Sequence, residues 1–215
     1  MPVLAKICGL STAEAVAAAA AGGAGYVGLV FYDKSPRAVT PEQAAEITRD
    51  LPDHVAKVGL FVDAGIERIR DTVRVAKLDM LQLHGRETPA TVERLRTKLG
   101  RTVIKAIKIG AAEDFAQTEP YEDIADWLLF DAKTPKTLPG ALPGGNRLSF
   151  DWSLLKGRRF GCPWMLAGGL DAGNLAEAVA ASGARAVDVS SGVEDAPGVK
   201  NPDLIRAFLA AAAAI

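Results

Sequence analysis

The sequence predicts an α/β fold: a single-domain (β/α)8 barrel, the TIM barrel, with eight parallel strands, spanning residues 1–215. Three observations predict it. Short, β-prone apolar runs recur along the chain, as strands buried on both faces require. Most are followed by a helix-start signal and a helical stretch, the alternation that builds a parallel sheet. Polar residues of catalytic type gather at the C-terminal ends of these runs, where barrels carry their chemistry. A count of about eight units favours a closed barrel over an open doubly wound sheet.

The runs in order are VLAKI, YVGLVF, VAKVGLF, LDMLQL, VIKAI, WLLFDA, WMLAG and AVDVS. After the first, Ser11-Thr12-Ala13-Glu14 reads as a capping box ahead of an alanine-rich helix, and Gly22-Gly23 stop it. Thr40-Pro41-Glu42-Gln43 combines an N-cap, a Pro at the first helical position and a second capping box. Asp63 is placed to cap a helix whose apolar face is Ile66, Ile69, Val73 and Ala76. Thr88-Pro89 opens the next, with Val92, Leu95 and Leu99 inward. The fifth unit is short: AAEDFAQTEP ends at Pro120. The sixth carries a long Pro/Gly-rich stretch, residues 133–149, of the kind that is often functional. Asp171 caps the segment leading to Leu175, Ala178 and Val179. Asn201-Pro202 starts the last helix, with Leu204, Ile205 and Phe208 inward.

Composition narrows the function. A hydrophobic content of 49% against 24% charged residues supports a large core with a solvated surface. A net charge of −1 gives no electrostatic case for nucleic acid or an anionic membrane. No stretch is long and apolar enough to span a bilayer, and the N-terminus lacks a secretory pattern. Two cysteines are too few for a disulfide framework, so a cytoplasmic location is the simpler expectation. Oligomeric state, monomer or homodimer, stays open.

The strand ends carry the chemistry. Strand one ends at Cys8 and strand two runs into a loop holding Arg37. Strand four ends in Gln82-Leu83-His84-Gly85, strand six in Asp131, strand seven in Ala167-Gly168-Gly169, and strand eight in Asp188-Val189-Ser190-Ser191-Gly192. A side-chain period of two puts Lys6 with Cys8, Gln82 with His84, and Asp188 with Ser190 on common faces. Taken singly, Cys8 reads as a small buried hydrophobe, His84 as a hydrogen-bonded core residue, Asp131 as a loop cap and the glycines as turns. Together at one rim they read as a site. The loops after strands seven and eight offer backbone N–H groups that glycine lets a ligand approach closely, which points to a phosphorylated small-molecule substrate. His54 and Cys162 precede strands, at the opposite end, and no metal or nucleotide motif is present.

The segments KICGL, SPRAVT, VGLFVD, LDMLQLHG, FDA, GGNRLSFDW, LAGGLDAGN and DVSSGVEDAPGVKN resemble phosphoribosylanthranilate isomerase, in that family's order, over about residues 3 to 208. The resemblance implies a barrel enzyme of tryptophan biosynthesis. It would catalyse the Amadori rearrangement of N-(5-phosphoribosyl)anthranilate to 1-(2-carboxyphenylamino)-1-deoxyribulose 5-phosphate, with no cofactor and no metal. It further implies Cys8 as general base and Asp131 as general acid. Arg37 would hold the anthranilate carboxylate, and Gln82, His84 and Asp188 would line the pocket. The phosphate would rest on the backbone of Gly168, Gly169, Ser191 and Gly192, and on loop six near Gly145. Two departures stand out. Gly144-Gly145-Asn146-Arg147 carries Arg147 where the family has a glycine, which implies either another loop conformation or an added positive charge at the phosphate. Asn201 stands where the family often has Asp.

This chemistry sets conditions. Asp131 as a neutral acid needs a raised pKa, expected from an apolar rim beside Trp127 and Leu129. Cys8 as thiolate needs a lowered one, and Lys6 either supplies that or is paired in the barrel interior. Other phosphosugar barrels fit less well: epimerases need metal-binding histidines, an indole-glycerol-phosphate synthase needs a central lysine, here Lys105 besides Lys6, and bifunctional isomerases carry an aspartate where Cys8 stands. A non-catalytic phosphate-binding barrel is the alternative outside enzymes.

Overall fold

The computed structural model describes residues 2–134, 144, 145 and 148–215. Eight strands close into one barrel: β1 (Leu4–Cys8), β2 (Tyr26–Val30), β3 (Ala56–Phe61), β4 (Met80–Leu83), β5 (Thr102–Ile109), β6 (Trp127–Ala132), β7 (Trp164–Leu166) and β8 (Ala186–Val189). All eight apolar runs are strands, and every barrel pairing is parallel, including the β1–β8 closure in which Lys6 faces Asp188. Among the described residues six helices pack outside: α1 (Ala13–Ala21), α2 (Pro41–Ile47), α3 (Ile66–Ala76), α4 (Pro89–Leu99), α5 (Leu175–Ser182) and α6 (Pro202–Ala213). None of the described helices is long and apolar enough to cross a membrane.

The period of two divides each strand between two cores. Outward residues such as Ile7, Val27, Leu128, Phe130 and Val187 pack beneath the helices. Inward residues Val58, Met80, Ile104, Leu129, Met165 and Ala186 plug the barrel. The plug is apolar toward the N-terminal ends of the strands. Trp127 belongs there, edge-on to Tyr26, and not beside Asp131 as the sequence suggests.

Local signals mostly held. Thr40 and Gln43 form the reciprocal capping box, Thr88 caps α4, and Asn201 accepts from the amides of Asp203 and Leu204. Others differ. The cap of α1 is Thr12, which accepts from the Ala15 amide, so Ser11 opens no capping box. Asp63 does not cap α3. It adopts a left-handed φ of 50° and accepts from the Arg86 amide instead. Asp171 holds the turn ahead of α5 through the amides of Gly173 and Asn174. Leu204 lies on the exposed side of α6, while Ile205 and Phe208 are buried. After β5 the chain makes 3-10 turns over Ala112–Gln117 and Glu119–Tyr121. Pro120 sits near the start of the second turn, where a missing N–H is harmless.

The cap assignment on α1 is testable. Thr12→Ala should lower stability by about 1 kcal/mol in urea unfolding, and Ser11→Ala should leave it nearly unchanged. The reverse order would restore Ser11 as the cap.

Candidate active site

The C-terminal mouth of the barrel holds a cleft, at the end where barrels carry their chemistry. Strands β1, β4, β6 and β8 send Cys8, Gln82, Asp131 and Asp188 into it, and His84 follows directly after β4. Loops bring Arg37, Gly145, Gly168, Gly169 and Ser191 to its wall. Gly192 alone of the expected residues stands behind the wall, packed so closely on the Leu170 carbonyl that a Cβ would lie 1.9 Å from that oxygen. Arg147 and Asn146, with residues 135–143, fall outside the described residues. His54 is exposed near the start of β3. Half-buried Cys162 lies ahead of β7, with its thiol pushed up to about 11 by burial and nearby carboxylates.

The floor is an ion pair. Lys6 Nζ donates to Asp188 Oδ1 at 2.8 Å, and the lysine is wholly buried. Cys8 is the next inward residue of β1, and Gly28 faces it across the β1–β2 pairing. A Cβ on Gly28 would meet Cys8 Sγ at 2.8 Å and Lys6 Nζ at 3.0 Å, so glycine makes the room both side chains use. Burial pushes the Cys8 thiol up, and Lys6 and Lys200 pull it down. Burial wins, so the lowering expected from Lys6 is real as a contribution but not as the net result. Lys6 is also the paired interior lysine of the other expectation. Its own pKa lies above the ordinary value, because Asp188 and Cys8 outweigh the burial that works against its charge.

The opposite wall is a network of four residues. Gln82 Nε2 sits 2.9 Å from His84 Nδ1, and His84 Nε2 sits 3.2 Å from Asp131 Oδ2. With the Gln82 amide nitrogen on Nδ1, the imidazole proton stands on Nε2 and points at the carboxylate. Lys108 completes the group: its Nζ is 2.5 Å from Asp131 Oδ2 and 3.1 Å from His84 Nε2. Asp131 Oδ1 accepts from the Ala132 amide. Burial alone would raise the Asp131 pKa, but Lys108 and His84 overcome it and hold the carboxyl well below the usual range. The raised pKa expected from an apolar rim is therefore corrected: the rim supplies a cation. Burial, and then Lys108, push the His84 pKa down, against the pull of Asp131.

Sequence reasoning missed Lys108, although the signal was present. TVIKAIKI puts Lys108 in phase with inward Ile104 and Ala106, and β5–β6 pairing sets it directly opposite Asp131. Lys105, the lysine singled out in its place, faces outward and binds Glu87 and the Gly85 carbonyl, each at 2.8 Å.

A second charged group braces Arg37. Its Nε and Nη2 donate to the two oxygens of Glu194 at 2.7 and 2.8 Å. Lys200 Nζ donates to Glu194 Oε1 at 2.7 Å and to the Ser190 carbonyl at 2.7 Å. Glu194 and Lys200 face each other across a small hairpin, β9 (Glu194–Ala196) and β10 (Val199–Lys200). Neither was given a role from sequence, though two opposite charges flanking a Pro-Gly turn in EDAPGVK are a readable cross-strand pair. Gly144 and Gly145 pack against the two groups. A Cβ on Gly144 would lie 2.9 Å from His84 Nε2, and one on Gly145 would lie 2.6 Å from Arg37 Nη1. Gly168 and Gly169 take φ of 88° and 68°. The amides of Gly168, Gly169 and Ser191 have no hydrogen-bond partner among the described residues.

The model of the N-(5'-phosphoribosyl)anthranilate isomerase family matches residues 5–211. The isomerase of that name from Rhodospirillum centenum is 57% identical over 215 residues, covering all of both chains. Among solved structures, a phosphoribosyl anthranilate isomerase in complex with reduced 1-(o-carboxyphenylamino)-1-deoxyribulose 5-phosphate has a TM-score of 0.82 at 34% identity, covering 99% of this chain and 100% of that one. A structure described as monomers generated from the dimeric enzyme of Thermotoga maritima has a TM-score of 0.82 at 35% identity, with the same coverage.

The Lys108 contact predicts a titration. In Lys108→Met, burial acts on Asp131 with one opposing cation gone, so its pKa should rise above about 3.9, the ordinary aspartate value. Carbon-13 NMR of the Asp131 carboxyl measures it. The depressed wild-type pKa contributes stability above that ordinary value, lost as pH falls through the folded pKa, and the variant should lack that loss. A carboxyl still well below 3.9 in the variant would shift the cause from Lys108 to His84.

Proposed function

The chain belongs to the phosphoribosylanthranilate isomerase family, aldose–ketose isomerases of tryptophan biosynthesis, and from that membership we propose that Cys8 is its general base and Asp131 its general acid. One observation carries the reading. Cys8 and Asp131 line the same cleft, which also presents a braced arginine and the backbone amides of two glycine-bearing loops. The phosphate of N-(5-phosphoribosyl)anthranilate would take the amides of Gly168, Gly169 and Ser191. Gly192 keeps the last loop tight from behind, and Gly145 adds the loop-six edge. The anthranilate carboxylate would take Arg37 through Nη1, the nitrogen that Glu194 leaves to the cleft. The relative solved with the reduced product analogue supports a phosphorylated ligand of this class. Gln82, His84 and Asp188 line the middle of the cleft, where the ribose would lie.

The first step needs a proton on Asp131, and Lys108 is the donor in contact with it. When substrate displaces water, an ion pair loses solvation and the neutral amine and carboxylic acid gain on it. The proton passes from Lys108 Nζ to Asp131 Oδ2 and then to the ribose ring oxygen. The bond from C1′ to that oxygen breaks, and the anilino nitrogen lone pair forms the imine. In the second step the Cys8 thiolate removes the C2′ proton, and the electron pair gives the enolamine. C1′ then takes a proton from the Cys8 thiol, and the C2′ hydroxyl proton returns through Asp131 to Lys108, which yields the ketone and restores the acid. Cys8 starts as a thiol, releases its proton to solvent once the iminium has formed, and recovers one from solvent after C1′ is protonated. The positive imine beside it, with Lys6 and Lys200, favours ionisation at the step that needs it.

Loss of substrate fluorescence on turnover tests both roles. Cys8→Ser should lower kcat by about 10²- to 10⁴-fold while reduced-product binding changes little. Turnover at the wild-type rate would remove Cys8 as base. Asp131→Asn should lower kcat by a similar factor, and a retained rate would transfer the acid role to Asp188.

A further inference from the structure

Arg37 poses an electrostatic difficulty. Glu194 meets its guanidinium at two points, and a bidentate carboxylate partner neutralises an arginine. An Arg–Glu pair with no net charge attracts a second carboxylate weakly, and the glutamate repels it. Arg37 and Glu194 are both nearly buried, so solvent screens that repulsion little.

Lys200 alters this balance. Its Nζ donates to Glu194 Oε1, the same oxygen that accepts from Arg37 Nε, both at 2.7 Å. Among the described residues two cations therefore share one anion, and with Lys200 protonated the three carry one positive charge; burial lowers the lysine's pKa and Glu194 opposes that. The lysine side chain is only 1% exposed, and of the three residues only Arg37 lines the cleft. The surplus charge thus reaches the ligand through the guanidinium, while Lys200 stays behind it. The placement is built into the fold. Lys200 pairs across the hairpin with Glu194, and Gly198 at the hairpin turn takes a φ of 86°. A Cβ on Gly198 would lie 2.4 Å from the Pro36 carbonyl, so the turn packs on the backbone of the residue before Arg37.

We propose that Lys200 is a positioning and specificity residue: by sharing Glu194 with Arg37 it leaves a net positive charge for the aryl carboxylate of the substrate. The inference rests on the reading that Arg37 receives that carboxylate. It assigns Lys200 no contact with substrate and no proton transfer.

Charge balance gives a test that geometry alone does not mimic. The probes are reduced 1-(2-carboxyphenylamino)-1-deoxyribulose 5-phosphate and the same compound without the carboxylate, with both affinities measured by calorimetry. Their ratio is the preference for the carboxylate and is independent of Cys8 and Asp131 chemistry. In Lys200→Met the three-residue group becomes neutral, and the preference should fall about tenfold, less than a contact pair would give because Lys200 acts from behind Arg37. In Lys200→Met/Glu194→Gln the single positive charge returns, and most of the preference should return with it. A double variant no better than Lys200→Met would overturn the proposal and make Lys200 a brace for the Ser190 loop. An unchanged preference in Lys200→Met would overturn it as well. Glu194→Gln alone keeps the cations and covers the case in which Lys200→Met does not fold. It should retain the preference, and a tenfold loss would show that Glu194 acts as a clamp rather than as a charge balanced by Lys200. Arg37→Met separates the premise: if that variant keeps the wild-type preference, the carboxylate binds elsewhere, and that reading fails before the Lys200 proposal is reached.

Discussion

The buried pair of Lys6 and Asp188 is the constraint on which the rest of the site turns. Taking two charges out of water costs several kcal/mol per ion, and only close contact offsets it. That contact exists because barrel closure sets Lys6 opposite Asp188 across β1 and β8. The first and last strands can therefore meet in only one register without stranding a charge. The same register fixes what stands above. Cys8 follows Lys6 on the inward face, and Ser190 follows Asp188. Closure of the barrel and assembly of the site are one event, and Gly28 supplies the volume both need.

Above this floor the rim repeats one device with different ratios. Lys6 and Asp188 balance one to one in the dark of the barrel. Lys108 and Asp131 also balance, but Lys108 is 27% exposed, so its charge is less firmly committed than that of Lys6. Arg37 and Lys200 set two cations on Glu194 among the described residues, the arrangement proposed to keep a positive charge in surplus. These ratios sort the groups by task. The closed pair sets the field under Cys8, the half-open pair can exchange a proton, and the unbalanced triad can hold an anion. Proximity makes each pair cohesive, but exposure and stoichiometry decide what it does.

Architecture was legible because it rests on periodic, local signals. All eight strands and the positions of Thr40, Thr88 and Asn201 follow from patterns a few residues long. Phase also assigned Cys8, Gln82, His84 and Asp188 to the cleft. What failed depended on neighbours distant in sequence. Asp63 resembled a cap but is drawn to Arg86 in the next loop. Asp131 was assigned an apolar setting from the residues of its own strand, yet a strand's inward residue is flanked by the adjacent strands, and β5 brings Lys108. Charge environment in a parallel barrel is read across strands, where residues 23 positions apart touch. Glu194 escaped for a related reason: its meaning lies in Arg37, at the other end of the chain.

The positions least open to substitution in this cleft have no side chains at all. A Cβ on Gly28 would press on Cys8 and Lys6, one on Gly144 on His84, one on Gly145 on Arg37, and one on Gly168 on the Ala132 amide. Each glycine is set against a charged or catalytic-type group or its backbone support. A catalytic group moved by even an ångström loses much of its effect, so an alanine at these positions would act by displacing a neighbour rather than by removing a contact. That is a different mode of failure from loss of an acid or base. The ionisable groups would remain, with altered spacing and altered pKa values, in an otherwise folded barrel. The apolar plug of Val58, Ile104, Leu129 and Met165 makes this separation possible, because it holds the strands together below the polar layer. Packing at the bottom secures the fold, so the top can keep its charges, its glycines and its close contacts for binding and proton transfer.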